Sequence, residues 1–154
     1  MNIEIKLDSF EFGTECCGIM YLDFDGKYYP QKDWECFPVR TISELLEGVL
    51  KLWYKQSESV AADFLGSQMC DSEFPLDVVI SRYEKGNDWK VTTGVWDFDN
   101  AKMHTELFSE NISTRSLVKE LLVAAHKIFE HCKYTSQSSF VTELEVLIKK
   151  VENL

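Results

Sequence analysis

Apolar and polar residues alternate from the first positions of the chain. Ile3, Ile5 and Leu7 are separated by Glu4, Lys6 and Asp8, the period-2 pattern of a half-buried strand. Phe10 and Phe12 continue it with the parity shifted by one, which predicts a bulge near Ser9. Gly13 and Gly18 bracket a turn, Ile19 to Phe24 form a second strand, and Asp25-Gly26 ends it. The period then changes. Ile42, Leu45, Leu46, Val49, Leu50 and Trp53 recur at the spacing of one helix face. Thr41 followed three residues later by Glu44 matches a capping box, so the helix is predicted from Thr41 to about Gln56 with Trp53 in the core. Residues 57–73 show no dominant period, and Val60 to Leu65 suggest one more helical turn.

Alternation returns in Leu76, Val78 and Ile80, again in Trp89, Val91, Thr93 and Val95, and a third time in Met103, Thr105 and Leu107. Glu84 to Asp88 read as a hairpin loop and Asp99-Asn100 as a turn. Connections this short join antiparallel neighbours, because a parallel crossover needs about a dozen residues. A helix capped by Ser113 or Thr114 presents Leu117, Val118, Leu121, Leu122, Ala125, Ile128, Phe129 and Cys132 on one stripe. After the polar run Thr135 to Ser139, a last helix carries Val141, Leu144, Ile148 and Val151. The order ββαβββαα predicts an α+β fold. It consists of one antiparallel sheet of about five strands with helices packed on one face, in a single domain spanning residues 1–154. The other sheet face is then open to a partner.

Composition agrees with a folded core: 45% of residues are hydrophobic and 13% aromatic. No stretch approaches the roughly 18 consecutive apolar residues of a membrane span, and the alternating N-terminus is unlike a signal peptide. The five cysteines, Cys16, Cys17, Cys36, Cys70 and Cys132, are odd in number and lack a Cys-x-x-Cys spacing. The expected setting is therefore the cytoplasm, with the thiols reduced. Net charge is −10, unevenly spread. Residues 1–110 hold 21 acidic and 10 basic side chains, whereas residues 111–154 hold 5 and 6. An acidic surface repels nucleic acid and anionic membrane and attracts a basic protein.

Several strings were weighed for chemistry. Ile19 to Gly26 resembles the first motif of the haloacid-dehalogenase phosphatases, an apolar strand ending in Asp-x-Asp-Gly. That resemblance implies Asp23 as nucleophile and Asp25 as general acid beside Mg²⁺. It also demands a parallel sheet, whereas this chain returns by hairpins. Asp97-Phe98-Asp99 repeats the Asp-Phe-Asp pattern, but neither string has calcium-loop spacing. Of the three histidines, His126 shares a helix face with Glu130 and His131 points elsewhere; with no third ligand, no metal or other cofactor is expected. No cysteine–histidine pairing has a supporting local signature, and no phosphate loop, nucleophile elbow or basic aromatic patch appears. Trp96, followed closely by Asp97 and Asp99, has the composition of a protein-binding anchor, so Trp96, Asp97 and Asp99 form the expected partner-binding set.

Tyr29-Pro30, three residues, Trp34, two residues and Phe37, followed by a helix ending Val49-Leu50-x-x-Trp53, resembles small bacterial immunity proteins of polymorphic-toxin systems. The likeness covers about residues 18–55. It departs from the family pattern at Cys36, where an acidic residue often stands. The resemblance implies a cytoplasmic antitoxin that binds and blocks a toxin domain without catalysis of its own. The chain's acidity adds that such a partner is basic. Two other classes compete: a small enzyme using Asp23 and Asp25, and an adaptor subunit with no toxin link.

Overall fold

The computed structural model describes residues 1–13, 15–64, 76–82, 88–97, 102–134 and 139–154, leaving aside the side chains of residues 96, 97 and 102–104. It is an α+β structure in which every strand pairing is antiparallel. The strands are shared between two sheets of four rather than gathered in one. The first contains β1 (Asn2–Phe12), β2 (Cys16–Phe24), β3 (Lys27–Tyr29) and the short β4 (Glu35–Cys36), with β2 flanked by all three others. The second runs in sequence order through β5 (Ser59–Asp63), β6 (Leu76–Arg82), β7 (Asp88–Asp97) and β8 (Lys102–Ser113). Helices α1 (Pro38–Trp53), α2 (Thr114–Cys132) and α3 (Ser139–Glu152) cover the inner faces. The predicted loop 84–87 and the turn at Asp99-Asn100 lie outside the described residues.

The bulge near Ser9 is present, and its chemistry is visible. Register between β1 and β2 shifts between Lys6 and Glu11. There the Ser9 hydroxyl donates to the Lys6 carbonyl at 2.6 Å and accepts the Ile19 N–H at 2.8 Å, replacing the ladder bonds that the extra residues interrupt. The Ser113 cap is present too, its oxygen accepting the Ser116 N–H at 3.2 Å.

Helix α1 starts earlier than Thr41. Pro38 occupies its first turn, where a missing N–H costs nothing. The Thr41–Glu44 pair is not a capping box. Thr41 Oγ1 donates to the Asp63 carbonyl at 3.0 Å, and the Asp63 N–H donates to Glu44 Oε2 at 3.0 Å. The two side chains grip the end of β5, so the segment expected to add a helical turn is an edge strand clamped against α1. Contact is close: a Cβ on Gly48 would lie 2.6 Å from Val60 Cγ2. Gly48→Ala should therefore destabilise the fold by about 1–2 kcal/mol in denaturant melts. The roughly 1 kcal/mol gain that alanine brings inside an unobstructed helix is reversed here by the clash with Val60.

Trp53 is a correction. Leu52, at 1% exposure, completes the buried stripe with Ile42, Leu45, Leu46 and Val49, while Trp53 is 44% exposed. The last turn is still covered at Leu52, and Trp53, about 100° further round the helix, lies to the side of the covered face.

One buried cluster draws on both sheets and all three helices. The Tyr29-Pro30-x-x-x-Trp34 string joins the two sheets. The Tyr29–Pro30 peptide is cis. Tyr29 is fully buried, its hydroxyl shared between the carbonyls of Gly94 at 2.7 Å and Asp77 at 2.9 Å. Burial pushes that hydroxyl far above the usual phenol range. Trp34 Nε1 donates to the Phe64 carbonyl at 3.2 Å. Among the described residues no helix is long and apolar enough to cross a membrane.

Candidate functional site

The outward face of the first sheet is built by strand parity. Cross-strand partners share a face, so Ile3, Leu22 and Tyr29 point into the core in one row. The neighbouring rows face out: Asn2 with Asp23 and Tyr28, Glu4 with Tyr21, and Lys6 with Ile19 and Glu35. Tyr21 and Tyr28 meet edge to face at 5.6 Å between centroids. Residues 1–36 hold eight acidic side chains against three lysines. Two of those lysines are engaged: Lys6 Nζ lies 2.7 Å from Asp33 Oδ1, and Lys32 Nζ sits 5.7 Å above the Tyr28 ring. The hydrogen bond to Asp33 holds the Lys6 pKa above its ordinary value. Burial, helped by the Asp33 and Glu4 carboxylates, raises that of Tyr21. The outer side of the sheet is thus rimmed by carboxylates around a tyrosine pair, of which Tyr21 is covered at 6% exposure and Tyr28 is half-buried, carried by a sheet whose other face is core.

Asp23 and Asp25 have local structural work. Asp23 Oδ1 accepts the Gly26 N–H at 2.6 Å, and Asp25 holds the left-handed conformation of the turn at φ 53°. Strand β2, which carries them, is antiparallel to every neighbour, so the parallel frame of the dehalogenase motif is missing. Trp96 and Asp97 lie in β7, opposite Met103 and Lys102 of β8; Asp99 lies outside the described residues. They belong to the second sheet, not to the acidic face of the first.

A second constellation escaped the sequence analysis. Asp63 of β5 and Asp77 of β6 are direct cross-strand partners. Asp77 is 2% exposed, and its Oδ1 has no hydrogen-bond partner among the described residues. Its carboxyl is pushed up to about 8, first by burial, then by its hydrogen bond to Asp63 and by the charges of Asp63 and Glu44. Arg40 partly offsets those charges, 3.0 Å from Glu44 and 3.9 Å from Asp63. Asp77 therefore keeps its proton near neutral pH. The only sequence signal is a lone acid inside the apolar run Leu76 to Ile80.

Cys16, Cys17, Cys36 and Cys132 are thiols. The buried sulfurs of Cys16 and Cys132 lie 4.0 Å apart, and hydrogen bonding with burial raises the pKa of Cys16. Burial pushes Cys36 up to about 12. His131 packs against Phe10 and Phe12, and His126 Nε2 lies 2.9 Å from Glu152. Among the described residues no three His, Cys, Asp or Glu side chains converge as a metal would require. Compared with known proteins, the chain matches no family model, no curated protein and no solved structure.

Proposed function

We propose that this chain is a non-catalytic protein-binding module, a bacterial immunity protein that captures a basic toxin domain in the cytoplasm. The observation that carries the reading is the outer face of the first sheet, where Tyr21 and Tyr28 stand among Glu4, Asp23 and Glu35. A toxin that acts on nucleic acid needs a basic surface for phosphates. A face of opposite sign draws such a surface in quickly, and the half-buried Tyr28, held edge to face by the covered Tyr21, adds rigid contact area at low entropic cost. Blocking then needs only coverage of the toxin's site. The Tyr29–Trp53 resemblance to immunity proteins supports the same assignment, since its residues build the junction behind that face.

The test begins with the gene neighbourhood. The toxin candidate is the C-terminal domain of a large secreted protein encoded directly upstream. Co-expression with this chain should restore growth and yield a stable complex on purification. Continued toxicity together with no complex would contradict the proposal.

A further inference from the structure

The other end of the molecule carries the opposite charge. A groove of about 1040 Å³ opens between the end of α1, the exposed side of α2 and the C-terminal residues. Trp53 and Val123 stand on its rim, 44% and 42% exposed, with Leu52 and Trp89 beneath them. Val118 and Leu122 continue the apolar lining along α2. In a chain of net charge −10, the cations here run against the trend: Lys55, Arg115 and Lys119 all line the groove. None of the three forms an ion pair among the described residues. Nearby, Arg82 is held by Glu58, and His126 Nε2 lies beside Glu152, whose carboxylate also lines the groove.

The lining is polarised. Arg115 and Lys119 occupy the first turns of α2, Leu122 and Val123 follow, and His126 closes the series. At about 1.5 Å per helical residue the distance from Arg115 to His126 is roughly 16 Å. One end is thus cationic, with Trp53 two residues from Lys55 and Trp89 paired to Ile112 just before Arg115, and the rest offers aliphatic surface that gains by leaving water. A molecule with one anionic head and an unbranched apolar tail matches both the sign and the sequence of the lining. We propose that this groove is a binding site for single-chain amphiphilic anions, the chemistry of a medium- or long-chain carboxylate. The site is separate from the acidic face of the first sheet.

The full chain would be titrated with laurate below its micelle concentration, following tryptophan fluorescence and calorimetric stoichiometry. One-to-one saturable binding is expected. Dodecyltrimethylammonium has the same tail with a cationic head and should bind at least roughly tenfold more weakly. Arg115→Glu combined with Lys119→Glu should lower laurate affinity by a similar factor; both positions are exposed, and an unchanged melting curve would verify the fold. Equal affinity for the two head groups would overturn the proposal, and that comparison uses the unaltered chain. So would an absence of saturation, or a folded double variant that binds laurate as the parent does. Sedimentation with phosphatidylglycerol vesicles without laurate binding would also overturn it, by making the groove a membrane-facing patch instead.

Discussion

Asp77→Asn should make the protein more stable at pH 8.5, by on the order of 3 kcal/mol, and by roughly a third as much at pH 5. The folded chain holds the Asp77 proton up to about pH 8, whereas the unfolded chain releases it near the ordinary value of 3.8. Between those limits the native state binds a proton that the unfolded state does not. Stability from this group is therefore full below about pH 4, falls as pH rises, and levels off above about 8. Each pKa unit corresponds to about 1.4 kcal/mol, so the whole window amounts to several kcal/mol, reduced because Asp77 interacts with Asp63. Asparagine keeps a donor toward Asp63 and cannot ionise, so it removes the fall. Denaturant melts from pH 5 to 9 would show two curves that converge toward acid and diverge in base. Parallel curves would mean that Asp77 is ionised in the folded protein at neutral pH.

Reversing charge on the first sheet should slow capture of the proposed basic partner. With Glu4→Lys and Asp23→Lys together, the association rate at low ionic strength should drop roughly tenfold or more, and the difference should shrink as salt is added. Glu4 is exposed and Asp23 half-buried on the outer face. Asp23 also accepts the Gly26 N–H, so Glu4→Lys alone serves as the control that leaves the turn intact. Stopped-flow mixing at two salt concentrations would measure this. A rate unaffected by either variant at low salt would remove this face from the encounter.

Where local pattern decides structure, the sequence was legible. Alternation placed five of the eight strands of the described residues, missing β3, β4 and β5, while the parity break at Phe10 marked the bulge and Ser113 the start of α2. The α+β class and antiparallel pairing follow from the same patterns and short connections. What escaped depends on partners distant along the chain. Thr41 and Glu44 have the spacing of a capping box, but tertiary packing brings Asp63 to them, and a strand end wins both hydrogen bonds. Trp53 fits the apolar period as well as Leu52 does, and only tertiary packing decides that the covered face runs through Leu52. The division into two sheets arises because β1–β4 pair only among themselves and β5–β8 likewise, a choice of partner that local pattern does not carry. The raised pKa of Asp77 arises in part because register sets Asp63 opposite it. Likewise, the Tyr21–Tyr28 pair becomes a surface feature only once β2 and β3 are in register.

Carboxyl footprinting of the chain, alone and with the upstream-encoded toxin domain, tests the proposed binding role most directly. Carbodiimide labelling read by mass spectrometry reports each exposed carboxylate. Labelling of Glu4, Asp23 and Glu35 should fall to background in the complex, while Glu143 and Glu145 on α3, remote from that face, should label as before. Unchanged labelling of the first three in a complex that protects α3 would contradict the account.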